Sequence, residues 1–187
     1  MGQITIRELE KLDFFEGIPQ DILQNLLNES TVASYKKKEV IFHSRTRTEF
    51  VYFVLSGEVM LYNLTKHGNR KVIFILGKGR LLNQSIVSKK PNALFGEAVC
   101  PVQALKIPEG VFLRLMEQCH ELTYSILREY ERNLWRMGHQ LKNTTGNMQT
   151  ERKIAAKLWK LGRDFGVETE EGVMVDIDLT ITLWQIW

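Results

Sequence analysis

The feature that most limits what this chain can become is a change of period close to residue 108. From Thr31 to Ile107 the apolar residues come in short runs rich in Val, Ile, Phe and Tyr: 32–35, 40–42, 50–55, 58–62, 72–76 and 104–107. Polar or glycine-bearing turns separate them, at 36–38, 44–47, Ser56-Gly57, 67–69, 77–79 and 89–92. Short, closely spaced strands with turn signals make antiparallel barrels or rolls rather than parallel sheets. Ser56-Gly57 predicts a tight hairpin in which the glycine takes a positive φ. Before these strands, Leu9, Leu12, Phe14 and Phe15 lead into Gly17-Ile18-Pro19, after which Ile22, Leu23, Leu26 and Leu27 recur at helical spacing.

Downstream of Pro108 the period is helical as far as Phe165. A short helix over 109–117 turns Val111, Phe112 and Leu115 inward. A longer one over 121–143 has no proline and only Gly138 as a weak former. Along it, Leu127, Tyr130, Leu134, Met137 and Leu141 step by three and four, a heptad seam over two repeats. Charged residues flank the seam (Arg128, Glu129, Glu131, Arg132, Arg136), which predicts a parallel two-chain coiled coil and hence a homodimer. A helix packed on the roll of its own chain meets the same spacing, and Trp135 lies beside the seam where it could cover the roll. A third helix, 150–165, is expected to end with Gly166 as its C-cap. A hairpin turn at 168–172 and the run 173–177 follow. The chain then stops inside an apolar stretch, Leu179 to Trp187, and the expected reason is truncation.

Charge and residue types exclude several functions. Residues 36–90 carry twelve lysines and arginines against three acids, within a chain of net charge +3. Such a segment can attract anions, but without interleaved aromatics it does not form a single-strand binding track. The plainer reading is solvated turn lysines. Two cysteines, Cys100 and Cys119, cannot form a disulfide scaffold or a four-cysteine cluster. The start of the chain lacks a signal-peptide pattern, and no run of 18 apolar residues spans a membrane. A cytoplasmic protein without a membrane partner is expected. His43, His67, His120 and His139 are scattered, with no metal-ligand spacing, nucleophile elbow or phosphate loop. No catalytic residue, metal or cofactor is therefore expected.

The order of elements resembles the Crp/Fnr family of transcription regulators. The resemblance rests on Leu12–Gln20 (LDFFEGIPQ), Tyr35–Phe42 (YKKKEVIF), Val51–Val59 (VYFVLSGEV), Gly77–Leu82 (GKGRLL), Leu105–Pro108 (LKIP) and Glu151–Ala155 (ERKIA). It implies an α+β chain: an antiparallel β-roll (a double-stranded β-helix like the cyclic-nucleotide-binding domain) over 1–118, a long dimerisation helix over 119–146, and the first part of a winged helix-turn-helix over 147–187. Thr182 and Ile186 resemble the opening of the first helix of the DNA-reading motif, so DNA would be a partner only through a part beyond Trp187.

Nucleotide-binding members carry a Gly-Glu pair and, some eight residues later, Arg-Ser or Arg-Thr. Counted between Gly79 and Ile107-Pro108, those positions fall on Asn83-Gln84 and Asn92-Ala93. Phe95-Gly96-Glu97-Ala98 imitates the first pair but lies too close to the Ile-Pro boundary, and is expected to be a decoy. Losing two charge-assisted hydrogen bonds weakens binding by about 3–6 kcal/mol, on the order of 10²–10⁴-fold. The effector is thus expected to be a small molecule other than cAMP. The resemblance places it against Leu82, Asn83, Gln84, Ser85, Asn92 and Ala93, with Leu134, Trp135, Met137 and Gly138 of the long helix. Polar amides beside Leu81, Leu82 and Ile86 suit an apolar or aromatic molecule with one polar group. The same residues could equally pack the roll. No cysteine group precedes Cys100, which disfavours iron–sulfur sensing; haem would need His67 or His139; and Cys119 reads as a buried thiol. Two other readings stand beside the regulator: a metal-dependent barrel enzyme and a stand-alone ligand-binding module.

Overall fold

The computed structural model describes residues 4–83, 85–144, 150–175 and 177. Three short helical elements come first: α1 (Ile6–Glu10), a 3-10 turn (Asp13–Phe15) and α2 (Gln20–Asn28). Thr5 and Glu8 form a capping box at the start of α1. Seven strands follow: β1 (Thr31–Tyr35), β2 (Val40–Phe42), β3 (Phe50–Ser56), β4 (Val59–Leu64), β5 (Arg70–Leu76), β6 (Phe95–Ala98) and β7 (Val102–Pro108). They form two antiparallel sheets, ordered β1-β7-β3 and β2-β6-β4-β5. Then come α3 (Glu109–Gln118), α4 (His120–Thr144), α5 (Thr150–Phe165) and a hairpin of β8 (Gly166–Thr169) with β9 (Gly172–Val175).

The two sheets face each other across a core that includes Phe42, Tyr52, Val54, Val59, Leu61, Phe74, Leu76, Leu82, Ala98, Val102 and Ala104. Strand β3 is buried on both sides. Tyr52 and Val54 point into the roll. Phe53 points the other way, where its ring meets Phe14 at 4.5 Å, Phe15 at 4.9 Å and Phe112 at 5.8 Å. The apolar residues of the first 30 positions and of α3 thus share one aromatic anchor on the outer face of the β1-β7-β3 sheet.

The turn from β3 to β4 works as the sequence requires: Gly57 has φ +79°. A Cβ there would strike the carbonyl of Pro101, so the position needs glycine for space as well as for conformation.

Three expectations change. The sequence predicts six strand runs; the structure adds β6, whose Gly96 and Glu97 break the apolar pattern. Gly96 is required because a Cβ would sit 2.7 Å from the Phe42 ring. Gly166 is not the left-handed cap of α5; it lies outside the positive-φ glycines and opens β8. The run expected over 173–177 is the strand Gly172–Val175.

The described residues fall into two compact units that meet within α4: one runs to Leu127, the other starts at Arg128. The proposed opening of the DNA-reading motif, Thr182 to Ile186, lies outside the described residues. No described helix is long and apolar enough to cross a membrane.

Candidate functional site

In the first unit the site residues sit on the connection from β5 to β6, which runs beside β3 from the Val54 end to the Thr46 end of the roll. A bridge from Leu81 to Phe53 and a bond from the Leu82 N–H to the Tyr52 carbonyl (2.9 Å) sew its start to β3. Leu82 is fully buried and belongs to the roll core. Asn83 is buried as well, and each polar atom of its amide is engaged. Its Oδ1 accepts the Tyr52 N–H at 2.8 Å, and its Nδ2 donates to the Phe50 carbonyl at 2.9 Å and to Thr48 Oγ1 at 3.2 Å. A side chain so committed braces β3 against the connection.

Asn92 differs. Its backbone is tied down on both sides: its N–H donates to the Thr46 carbonyl at 2.9 Å and its carbonyl accepts the Arg45 N–H at 2.7 Å. The side chain is only 3% exposed, yet its Nδ2 donates to no group among the described residues. A buried amide donor without an acceptor costs about 1–3 kcal/mol. Ser85 and Ser88 share a hydroxyl contact at 2.7 Å near the outside, Ala93 is exposed, and Gln84 lies outside the described residues.

Glu97, on the motif that imitates the nucleotide pair, is 1% exposed. One carboxylate oxygen accepts Arg70 at 2.7 Å and the other accepts the Tyr62 hydroxyl at 3.2 Å. The Arg70 guanidinium lies 4.9 Å over the Tyr62 ring, which stacks on Phe95 at 5.1 Å. Burial, then the Glu97 charge, raise the Tyr62 hydroxyl above its ordinary range, against the pull of Arg70. Both carboxylate oxygens are therefore used inside the roll, in a cross-strand brace of β4, β5 and β6. Residue spacing alone could not reveal this, because Arg70 and Glu97 are neighbours only through strand pairing.

In the second unit, α4 places Leu134, Met137 and Gly138 on an exposed face, with Leu134 at 71%. Trp135 is half exposed; its ring lies 4.0 Å from that of His139 and 5.2 Å from the Arg163 guanidinium. Of the expected seam, Met137 and Leu141 are exposed, as Leu127 is at the end of the first unit. Tyr130 is only partly exposed. The buried face is polar: Glu129 and Arg136 are 5% and 4% exposed. Arg136 donates to Asp164 of α5 at 2.6 Å, and Arg163 grips the other carboxylate oxygen of Asp164 at 2.8–2.9 Å. Burial lowers the Arg136 affinity for its proton, and Asp164 opposes that shift.

Among the described residues no three His, Cys, Asp or Glu side chains converge on a metal-sized site. A cavity of about 250 Å³ is lined by Ile4, Glu8, Leu12, Val32, Leu55 and Gln103, with Lys78 from the start of the β5–β6 connection. Cys119 is buried, as expected; burial is the main cause that raises its thiol above the usual range.

A roll of two antiparallel sheets followed by a long helix narrows the choice of relatives, and comparison with known proteins agrees with the fold. Residues 32–119 match the cyclic nucleotide-binding domain family. The fold is a cyclic-nucleotide-binding β-roll. The chain is 24% identical to the global nitrogen regulator of Nostoc over 152 residues, 80% of this chain and 68% of that one. Among solved structures, FixK2 from Bradyrhizobium japonicum superposes with a TM-score of 0.64 at 19% identity, over 74% of this chain and 68% of that one. The sensor domain of the transcriptional regulator DNR from Pseudomonas aeruginosa gives 0.60 at 21%, covering 76% and 95%. Crp/Fnr-like regulators are thus among the relatives of this chain. The match ends at Cys119, so it covers the roll and α3, and leaves α4 and α5 to be argued from their own residues.

Proposed function

We propose that the chain is the effector-binding and dimerisation portion of a Crp/Fnr-type transcription regulator, and that its effector is a small molecule other than cAMP. The observation that carries the effector reading is Asn92. It stands at the position where nucleotide-binding members of the family have their phosphate arginine, and it holds a buried amide donor with no acceptor among the described residues. A neutral amide offers a hydrogen bond without the charge that a cyclic phosphate needs. Asn83 stands where those members have the glycine before their ribose-binding glutamate, and its amide is spent on the roll's own backbone.

The dimer reading is supported by α4, which turns Leu127, Leu134, Met137 and Leu141 outward while burying Glu129 and Arg136. Earlier in the helix Leu122 and Ile126 are buried in the ordinary way, so it is from Leu127 onward that α4 inverts the usual arrangement of a helix on a single chain. A second copy of the same helix covers such a stripe. DNA recognition would belong to further sequence after Trp187, in the manner of the regulators that the chain resembles.

Titration calorimetry with cAMP tests the effector reading. No heat of binding is expected at micromolar nucleotide, and a micromolar dissociation constant overturns it. Light scattering tests the dimer: the chain is expected to have twice its 21.8 kDa mass, and Leu134→Asp to return it to a monomer. A wild-type monomer sinks that half of the reading.

A further inference from the structure

Strand pairing brings the excess positive charge of the middle segment to one end of the roll. Tyr62 of β4 pairs with Phe95 of β6, and beyond that pair β4 runs on to Leu64, opposite Arg70. The β4–β5 hairpin therefore projects past the start of β6 with Lys66, His67, Arg70 and Lys71. Phe42, at the end of β2, sits against Gly96, so the β2–β3 loop with His43, Arg45 and Arg47 leaves the sheet at the same end. The β5–β6 connection, with Lys89 and Lys90, arrives there too, and the Arg45–Asn92 and Asn92–Thr46 backbone bonds join it to the β2–β3 loop. All these basic side chains are exposed.

Two of them are answered by buried carboxylates: Arg70 by Glu97 and Arg47 by Glu109, at 2.7 and 2.8 Å. Lys66, Lys71, Arg45, Lys89 and Lys90 make no ion pair among the described residues. Glu49 is the one exposed acid on these three loops. Arg45 and Lys89 also hold left-handed backbone, at φ +61° and +53°, which residues with a Cβ rarely adopt. The other end of the same sheet holds Lys36, Lys37, Lys38 (also left-handed, φ +70°) and Lys78, but there Glu39 and Glu58 stand among the cations and Arg80 pairs with Asp13 at 3.6 Å.

We propose that this end of the roll, beside the effector position Asn92, is an interaction surface for the phosphate backbone of double-stranded nucleic acid, distinct from any DNA-reading motif. Cations on three loops, spread over four adjacent strands, span about 15 Å. A duplex presents one negative charge per roughly 1.7 Å of its axis, so several phosphates lie within that span. The composition favours phosphate over protein. Leu64 and Val87 are the exposed large aliphatics here, too few for the apolar centre that a protein interface needs, whereas phosphate contacts require only cations and polar donors. The surface supplies position and affinity and reads no sequence.

The test is fluorescence anisotropy with a duplex of random sequence at two salt concentrations. It compares the wild-type chain, K66E/K89E/K90E at the proposed surface, and K36E/K37E/K38E at the opposite end, which makes the same change in net charge. The wild type is expected to bind in a salt-sensitive way. The first variant should bind at least tenfold more weakly than the second, and the slope of log affinity against log salt should fall by about three. Equal losses in the two variants overturn the proposal, since net charge would then explain everything. So does a loss that appears only with K157E/K160E on α5, or tighter binding to polyglutamate than to DNA, which would make the partner an acidic protein. Circular dichroism checks the fold, and K66Q/K89Q/K90Q replaces the reversal if that variant does not fold. Neither the cAMP titration nor the mass of the particle affects this outcome.

Discussion

The roll and the helical unit that follows it solve burial in opposite ways. In the roll, Phe15, Phe53, Leu82, Leu105 and Phe112 are fully buried, and the buried polar groups Asn83 and Glu97 are bonded within the same unit. In the helical unit the buried side chains include Arg136 and Asp164, while Leu134, Leu158 and Trp159 are each more than half exposed. The hydrophobic effect holds the first together from inside. The second is built around a charge cluster and turns much of its apolar surface outward. The difference teaches that the two units divide apolar surface differently: the roll encloses it, and the helical unit leaves much of it exposed.

Substitutions can break that contrast, and the largest effect is expected in the roll. Phe53→Ala removes the ring on which Phe14, Phe15 and Phe112 converge and should cost about 3–5 kcal/mol, read from urea unfolding. A loss below about 1 kcal/mol would mean that the helices do not depend on this anchor. Asp164→Asn comes next. It leaves Arg136 buried beside a neutral amide, and should cost about 3 kcal/mol within the helical unit alone. Hydrogen exchange would show faster amides in α5 with β3 and β7 unchanged; uniform loss across both units would erase the distinction.

Glu97→Gln should cost less, about 1–2 kcal/mol, because Arg70 is 40% exposed and can turn to water. Leu134→Ala, at a site 71% exposed, should change the stability of the isolated protomer by less than about 0.5 kcal/mol. Its effect belongs to the concentration dependence of assembly.

The smallest effect is one of pH, and its sign differs between the units. Lys160 is pushed down to about 8, mainly by burial and then by Arg136, against the pull of Asp164. Between there and its ordinary value near 10.5 the unfolded chain holds the extra proton, so the helical unit gains stability as pH rises through that window. Tyr35 in the roll is pushed up to about 12, first by burial and then by Tyr52 and Glu39. From its ordinary value of 10.0 up to there the folded roll holds the proton, and stability falls as pH rises. All four tryptophans follow residue 128 and all but one of the five tyrosines precede it. Thermal melts followed by tryptophan emission should therefore shift upward between about pH 8 and 9.5, and Lys160→Met should flatten the shift. An unchanged slope in that variant would assign the dependence to another group.

Much of this was legible from the residues. The alternation of short apolar runs with turns predicted the roll, Pro108 marked the start of the helices, and the glycine of Ser56-Gly57 was needed where the structure uses it. β6 was not legible as an apolar run, because Gly96 is chosen by the Phe42 ring across the core and Glu97 by Arg70, 27 residues earlier in the chain. The loop amides were visible as candidates, but the sequence could not separate Asn83, a brace for β3, from Asn92, a donor with no acceptor. The heptad spacing of α4 is plain in the residues, yet it could not show that Tyr130 is less exposed than the leucines around it.

What the sequence determined by itself is the periodicity, since backbone geometry converts residue spacing directly into strand or helix and so into fold class. Only the tertiary structure decided which charges are answered and which stand free. Strand register sets the first, bringing Arg70 to Glu97 and three basic loops to one end of the roll. Helix packing sets the second, enclosing Asp164 between two arginines. Both depend on distances across the chain that no local spacing encodes.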